Sequence, residues 1–420
     1  MQPGFGEPAL RHHCRRSALA VTMYKNTRKR LMPKSAVLVR RYERQIKTVF
    51  VAFLAALMIM FLAREPYLGI GSGTRSDAKL QPAAAERLQG VRVLEDAGEP
   101  VRAAFVVLAR EEDLWSLVTS IRHVEDRFNA RYHYDWVFVG ATPLSEKFQT
   151  VTRSLVSGRA RFCVAQAAAR EYPPAVEKER AGKATTALAE SGVSIEQVLL
   201  WRFHAGYLAL LPEMQEYEYY WYVEPDIELY CDINYDIFRF MKAHRKQFGF
   251  ILATEDPSDY SALWTEATAF AKQRADLLAH DNLRNFVSND GDTFNGCVFR
   301  AGFQVSSLDF WRSDAFRAFF EALDASGGFF YNLWTDVAVQ TLAVALLMDR
   351  RDVHFFDSIG LYHREMRSCP FEQTIRRQNK CICNPEQDLT WETGYVCTRR
   401  FMQARGLQLP KGIRRAARAV

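Results

Sequence analysis

A glutamate and an aspartate one residue apart, Glu224-Pro225-Asp226, directly follow the run Tyr219-Tyr220-Trp221-Tyr222-Val223. Paired hard oxygen donors suit Mg²⁺ or Mn²⁺ carrying a substrate diphosphate. The aromatic, β-branched run favours a buried strand, and the proline stops it. Both carboxylates are therefore expected at the C-terminal edge of a sheet, where open α/β sheets bind ligands. The same triplet would also serve as a plain acidic turn. A diphosphate-bound metal needs further donors, and His363 is the best second one, since imidazole ligates Mn²⁺ well. Asp336 opens a predicted helix, where by default it is a charge favoured by the helix dipole. Asn295 and Gln304 lie in FNGCVFRAGFQV, which reads as strand, and Gln304 there would ordinarily be a core amide. Arg110, at the tip of a predicted first strand, either contacts a nucleotide or sits on the surface.

The elements that must position these groups read as α/β. AAFVVLA at 103–109 is a continuous apolar strand, and Leu114, Leu117, Val118, Ile121 and Phe128 follow at helical spacing. A second strand spans Trp136 to Val139, so the order strand–helix–strand predicts a parallel βαβ unit and the start of a nucleotide-binding half-domain. Ile195 to Leu211 reads as a helix leading into the Glu224 strand, and Phe248 to Ala253 as another short buried strand. Ser313 or Asp314 caps a helix that buries Phe316, Phe319, Phe320 and Leu323 and ends at Gly327-Gly328. A further helix, entered from Thr335-Asp336, carries Val339, Leu342, Ala343 and Leu346, and Val353 to Phe356 forms a strand running into the loop with His363.

With 420 residues, 48% of them hydrophobic and 13% aromatic, the chain has ample material for a large packed α/β domain. The net charge of +6 is unevenly spread. Basic residues crowd the stretch before Lys47 and the C-terminal end, while the stretch between is close to neutral, so no broad nucleic-acid-binding face is implied. Residues 48–63, TVFVAFLAALMIMFLA, carry no charge and read as an uncleaved signal anchor, extended by Ile46 and by snorkelling of Lys47 and Arg64. The positive-inside rule then leaves 1–47 as a cytosolic basic tail, 64–100 as a lumenal stem and the bulk of the chain lumenal. In that compartment Cys163, Cys231, Cys297, Cys369, Cys381, Cys383 and Cys397 are expected to form structural disulfides of open connectivity, with at least one thiol left over. Cys381-x-Cys383 is a poor zinc pattern.

Four stretches carry a resemblance: AAFVVLAREEDLWSLVTSIRHVEDRFNARYHYDWVF at 103–138, YYWYVEPDIELYCDINYDIFRFM at 219–241, FNGCVFRAGFQVSSLDFWRSDAFRAFFEALDASGGFFYNLWTD at 294–336 and HFFDSIGLYH at 354–363. Together they resemble the fungal α-1,2-mannosyltransferases of the Kre2/Mnt1/Ktr type, glycosyltransferase family 15. The match covers roughly 101–405, with a basic tail at 406–420. The resemblance implies a GT-A nucleotide-sugar-binding fold, with a mixed central sheet flanked by helices, and a GDP-mannose donor. It further implies Mn²⁺, a mannosylated glycan or glycoprotein acceptor, retention of anomeric configuration, and a single-pass type II protein of the Golgi membrane. By the same resemblance Glu224 and His363 are metal ligands, Asp226 supports the metal or nucleotide, and Asp336 lines the sugar pocket. Arg110, Tyr222 and Asn295 fall on the donor side and Gln197 on the acceptor side. The sequence also departs from the family pattern. Gln304 stands where the family usually has the Glu proposed as nucleophile, Tyr222 replaces an Arg, Gln197 an active-site Tyr, and Thr335-Asp336 and Gln340 a Gly-Asp and a His. An amide is too weak a nucleophile to form a glycosyl ester. A front-face transfer, with the Gln304 carbonyl oxygen stabilising positive charge on the sugar, is the matching chemistry. A transferase with an altered donor or acceptor, or a GDP-sugar-binding homologue with impaired catalysis, are the alternatives.

Overall fold

Strand β1 (Ala103–Ala109) lies in the middle of a seven-stranded sheet and is buried on both faces. Ala104 and Val106 face one hydrophobic core, while Ala103, Phe105 and Val107 face another. Such two-sided burial is why this strand reads as an unbroken apolar run rather than an alternating one. The computed structural model describes residues 101–165, 193–300, 302–392 and 396–410, with a few between and beyond them (172–173, 176–177, 179, 394 and 412–413). All lie within one compact unit, Lys79–Val420. The expected tail, signal anchor and stem (1–47, 48–63 and 64–100) and residues 414–420 fall outside the described residues. Among the described residues no helix is long and apolar enough to cross a membrane.

The sheet is completed by β2 (Asp135–Gly140), β3 (Ala160–Val164), β4 (Tyr219–Tyr222), β6 (Phe248–Phe250), β9 (Gln304–Ser307) and β10 (Val353–Phe355). Their order is β10-β6-β9-β4-β1-β2-β3. β9 runs antiparallel to both β4 and β6, and the other pairings are parallel, so the sheet is mixed. The order reverses between β1 and β4, which opens a crevice beyond their C-terminal ends. Arg110 and Glu224 stand at that edge.

Four helices matter for the site. α1 (Leu114–Arg127) covers one face through Leu117, Ile121 and Val124. α2 (Ile195–Gly206), α3 (Asp314–Ala325) and α4 (Asp336–Leu347) cover the other. Their N-termini are capped by Ser194, Ser313 and Thr335, whose side-chain oxygens accept from backbone N–H groups three residues on. α2 and α3 approach closely at Gly206, where a Cβ would stand 2.1 Å from the Phe320 ring. Next to that contact Arg202 makes a bidentate, buried ion pair with Asp324 at 2.6 and 2.7 Å.

Two expected strands are each divided. Phe248 to Ala253 splits into β6 and β7 (Ala253–Glu255), and FNGCVFRAGFQV into β8 (Cys297–Phe299) and β9. β6 pairs with β9 in the large sheet, and β7 with β8 in a separate two-stranded one. From the Phe250↔Gln304 pair to the Ala253↔Phe299 pair, the β8–β9 side takes two residues more than its partner. This is a bulge, and bulges bend the ladder and re-aim side chains. Here the bulge carries Arg300 and Gly302.

Candidate active site

Glu224 owes its place to β4, which the Pro225 turn ends at the sheet edge. His363 comes back to the same place by a different route. β11 (Leu361–His363) pairs antiparallel with β5 (Glu228–Leu229), with Tyr362 opposite Glu228, so His363 is delivered beside the Pro225 turn. On its other side β11 pairs with β12 (Met366–Ser368). The outcome is a carboxylate and an imidazole facing each other, with Glu224 Oε2 3.6 Å from His363 Nδ1. That is too long for a hydrogen bond, and it brings the two side chains close enough to share one cation.

The electrostatics favour an added cation. Burial raises the Glu224 carboxyl above the ordinary range; Asp336 adds to the rise, while Arg364, Arg300 and His204 oppose it. Burial pushes His363 down to about 3, helped by Arg364 and Arg300, so the ring is neutral, as a ligand must be. His363 Nε2 is sealed from solvent without a hydrogen-bond partner. A neutral imidazole with one unpartnered buried nitrogen, its other nitrogen 3.6 Å from a desolvated carboxylate, fits a divalent cation held between the two side chains. Asp226 does not join the pair: it is exposed, with φ of 63°. Among the described residues no cluster of three or more His, Cys, Asp or Glu side chains is arranged to hold a metal. Any further ligands would come from substrate and water.

Gly302, in the bulge, is packed against the imidazole. A Cβ there would meet His363 Nδ1 at 2.6 Å and Cγ at 3.0 Å. Gly302→Ala is therefore expected to displace the ring and weaken metal-dependent nucleotide binding about 10–100-fold, the scale of a disturbed ligand support, although no donor atom is removed. Calorimetric titration of GDP with and without Mn²⁺ checks it.

Beneath the pair lies a buried polar network on the α2–α4 side of the sheet. Gln304, opposite Tyr222 across the β4–β9 ladder, donates from Nε2 to the Tyr220 hydroxyl (3.0 Å) and to Gln340 Oε1 (3.1 Å). Asp336 and Gln340 lie one turn apart on α4, on one helix face. Asp336 Oδ2 stands 2.5 Å from His204 Nδ1, and the His204 ring packs on Tyr222 with centroids 4.0 Å apart. Tyr222, expected on the donor side, is thus buried under the site, and its phenol is held far above the usual range by burial, with Glu224 and Asp336 adding to it.

Other expected residues have local partners. Arg110 follows β1 as foreseen, but Asp113 holds its guanidinium at 2.7 and 2.9 Å and keeps it firmly protonated. Asn295 is spent inside its own loop, donating to the Phe286 carbonyl and Asn289 and accepting from Cys297 N–H. Gln197 is half-buried in the first turn of α2, two turns before His204 on the same face, about 10 Å away by helix rise. His204, Arg300 and Arg364 escaped the sequence reading. Arg364 Nη2 lies 3.9 Å from Glu224 Oε1. It occupies the β11–β12 turn with Glu365, and both have positive φ (46° and 68°). Such turns are usually marked by Asn-Gly, so Arg-Glu gave no signal.

The cysteines pair as Cys231–Cys381, Cys297–Cys397 and Cys369–Cys383, with Cys163 the free thiol among the described residues. β5 and β12, the outer strands beside β11, are followed by Cys231 and Cys369, and both bridges converge on the short segment Cys381–Cys383.

The sequence model described as glycolipid 2-alpha-mannosyltransferase matches residues 74–406. The chain belongs to this family. It is a glycosyltransferase with the family's α/β fold and mixed central sheet. This mannosyltransferase is 42% identical to the probable mannosyltransferase KTR3 of Saccharomyces cerevisiae over 92% of its own length and 99% of the relative's. It is 39% identical to the alpha-1,2 mannosyltransferase KTR1 of the same yeast, over 75% of its length and 81% of the relative's. Among solved structures it is similar to core-mannan synthase A of Aspergillus fumigatus in a Mn/GDP form, with a TM-score of 0.68 and 25% identity over 75% of this chain and 89% of that one.

Proposed function

We propose that the chain is a retaining GT-A mannosyltransferase that moves mannose from GDP-mannose to a hydroxyl of a mannosylated glycan, forming an α-1,2 link in protein glycosylation. The observation that carries this reading is the Glu224–His363 pair at the C-terminal edge of β4, 3.6 Å apart and desolvated. The Mn/GDP form of the similar fungal synthase supports Mn²⁺ as the ion. Glu224 and His363 would hold Mn²⁺, which when bound supplies positive charge to the diphosphate leaving group. Arg300 and Arg364 add fixed positive charge around Glu224. Gln304 offers an amide rather than a nucleophile, so the reading is front-face return, with the departing diphosphate taking the acceptor's proton on the face it leaves. Asp336 is the nearby carboxylate of the sugar pocket.

Residues 1–47 face the cytosol, 48–63 anchor the chain as a single type II span, 64–100 form the stem, and 101–405 are the catalytic domain in the Golgi lumen. The uncharged run at 48–63 with basic residues before it supports this.

The test is product analysis. Detergent-purified full-length chain, incubated with GDP-mannose, Mn²⁺ and a mannobiose acceptor, is expected to yield an α-1,2-linked trisaccharide, and chelation to stop it. Preference for a UDP sugar would overturn the donor assignment. Tight Mn²⁺-dependent GDP binding without any transfer would make the chain a nucleotide-sugar-binding relative instead.

A further inference from the structure

A carbonyl oxygen only accepts hydrogen bonds. Gln340 Nε2 donates to the backbone carbonyl of His204 at 3.0 Å, so the main chain of α2 fixes which way the Gln340 amide points. Its Oε1 is thereby turned to Gln304 and accepts one N–H of Gln304 Nε2, while the other goes to the Tyr220 hydroxyl. Both donors of the Gln304 amide are spent inward. Its carbonyl oxygen is the end left without a protein partner among the described residues. Gln304, Gln340 and His204 are 4%, 3% and 2% exposed, so water has little access to offer the amide an alternative orientation. His204 is itself braced from two sides, by Asp336 and by the Tyr222 ring.

We propose that Gln340, held by the His204 carbonyl, is a positioning residue that turns Gln304 so that its oxygen, not its NH₂ group, is presented to the transferred sugar. This role rests on the mannosyl-transfer reading above. As the sugar–phosphate bond breaks, positive charge builds on the anomeric carbon and ring oxygen. The negative end of a fixed amide dipole favours that charge, whereas the same amide reversed would set two N–H groups against it. Fixing the dipole beforehand also removes the cost of turning it during the reaction. In this role Gln340 acts through Gln304 alone.

A double-mutant cycle separates this role from a structural one. Transfer by the full-length chain is measured for the parent, Gln340→Leu, Gln304→Ala and the double variant, with melting temperatures alongside. Gln340→Leu is expected to lower kcat by about tenfold or more, with the KM for GDP-mannose and Mn²⁺-dependent GDP affinity unchanged. In the Gln304→Ala background it should lower kcat no further. Gln340→Met, which keeps length and flexibility, carries the same reading if Gln340→Leu does not fold. Equal losses in both backgrounds, or parental kcat for the single variant, would overturn the proposal while the functional reading stands. No transfer by the parent chain would overturn both.

Discussion

Glu224→Gln is expected to lower mannose transfer by about 10²–10³-fold, the scale of removing one preorganised electrostatic stabiliser, and yet to leave the metal-free protein no less stable. The two halves of this expectation have one cause. Glu224 is desolvated, with Arg364 3.9 Å away and Asp336 adding like charge, and its carboxyl is held above the ordinary range. A carboxyl whose folded pKa is raised favours unfolding once the pH passes its unfolded value of about 4.5. That destabilisation is present at neutral pH and absent in acid. Glutamine keeps the shape and removes the charge. Without Mn²⁺ the variant should therefore melt at or above the parent's temperature near pH 7, and the two should converge near pH 4. Mn²⁺ should raise the melting temperature of the parent in the presence of GDP and have little effect on the variant. Initial rates and thermal shift across that pH range read both halves. Parental rates from the variant would remove the metal from Glu224, and a large loss of metal-free stability near pH 7 would make the carboxylate a structural group.

Arg202→Met should cost about 3–5 kcal/mol of folding stability, because it leaves the Asp324 carboxylate buried without its partner. The guanidinium is enclosed by Asp324 and by the Tyr207 and Phe330 rings, with its carbon 5.0 and 5.8 Å from their centroids. Removing both charges, as in Arg202→Met with Asp324→Leu, should recover most of the loss, since desolvating two ions offsets much of what they gain from each other. Urea unfolding of the three proteins measures this. The pair clamps α2 to α3 at the end of α2 that carries His204, so the single variant should also lose transfer near its own melting temperature, with a normal KM below it. Equal stability of parent and single variant would show that the pair contributes nothing net.

The Glu224 edge was legible in the sequence because strand, proline and carboxylates are adjacent there, and each signal is local. His363 was legible as a candidate metal ligand chiefly through family likeness. What brings it to Glu224 is the β5–β11 pairing across more than a hundred residues, and no short window of sequence encodes that. The starts of α3 and α4 were legible for the same local reason, and the structure chooses Ser313 over Asp314 as the cap of the first and makes Thr335 the cap of the second. His204 was hidden because a polar residue inside an apolar helix carries no mark of what it faces. Its neighbours Trp201 and Phe203 describe the core, not Asp336 at the start of another helix. The division of FNGCVFRAGFQV was also out of reach. Composition favours strand throughout, and only the partner's register shows where the ladder bends to aim Gly302 at His363. Asn295, expected near the donor, proved to be a brace of its own loop, because an amide with neighbouring backbone groups satisfies itself locally.

The Cys381–Cys383 segment has a consequence for how the protein can be made. Its two sulfurs reach the ends of β5 and β12, the strands on either side of the one that bears His363. The placement of His363 is therefore written partly in electrons already surrendered to an oxidant. Synthesised against a glutathione-rich thiol pool, the chain can assemble its large sheet from apolar contacts alone, while the segment that delivers the imidazole lacks its rivets. Soluble recombinant material from such a host would then be a poor guide to activity until its thiols had been counted.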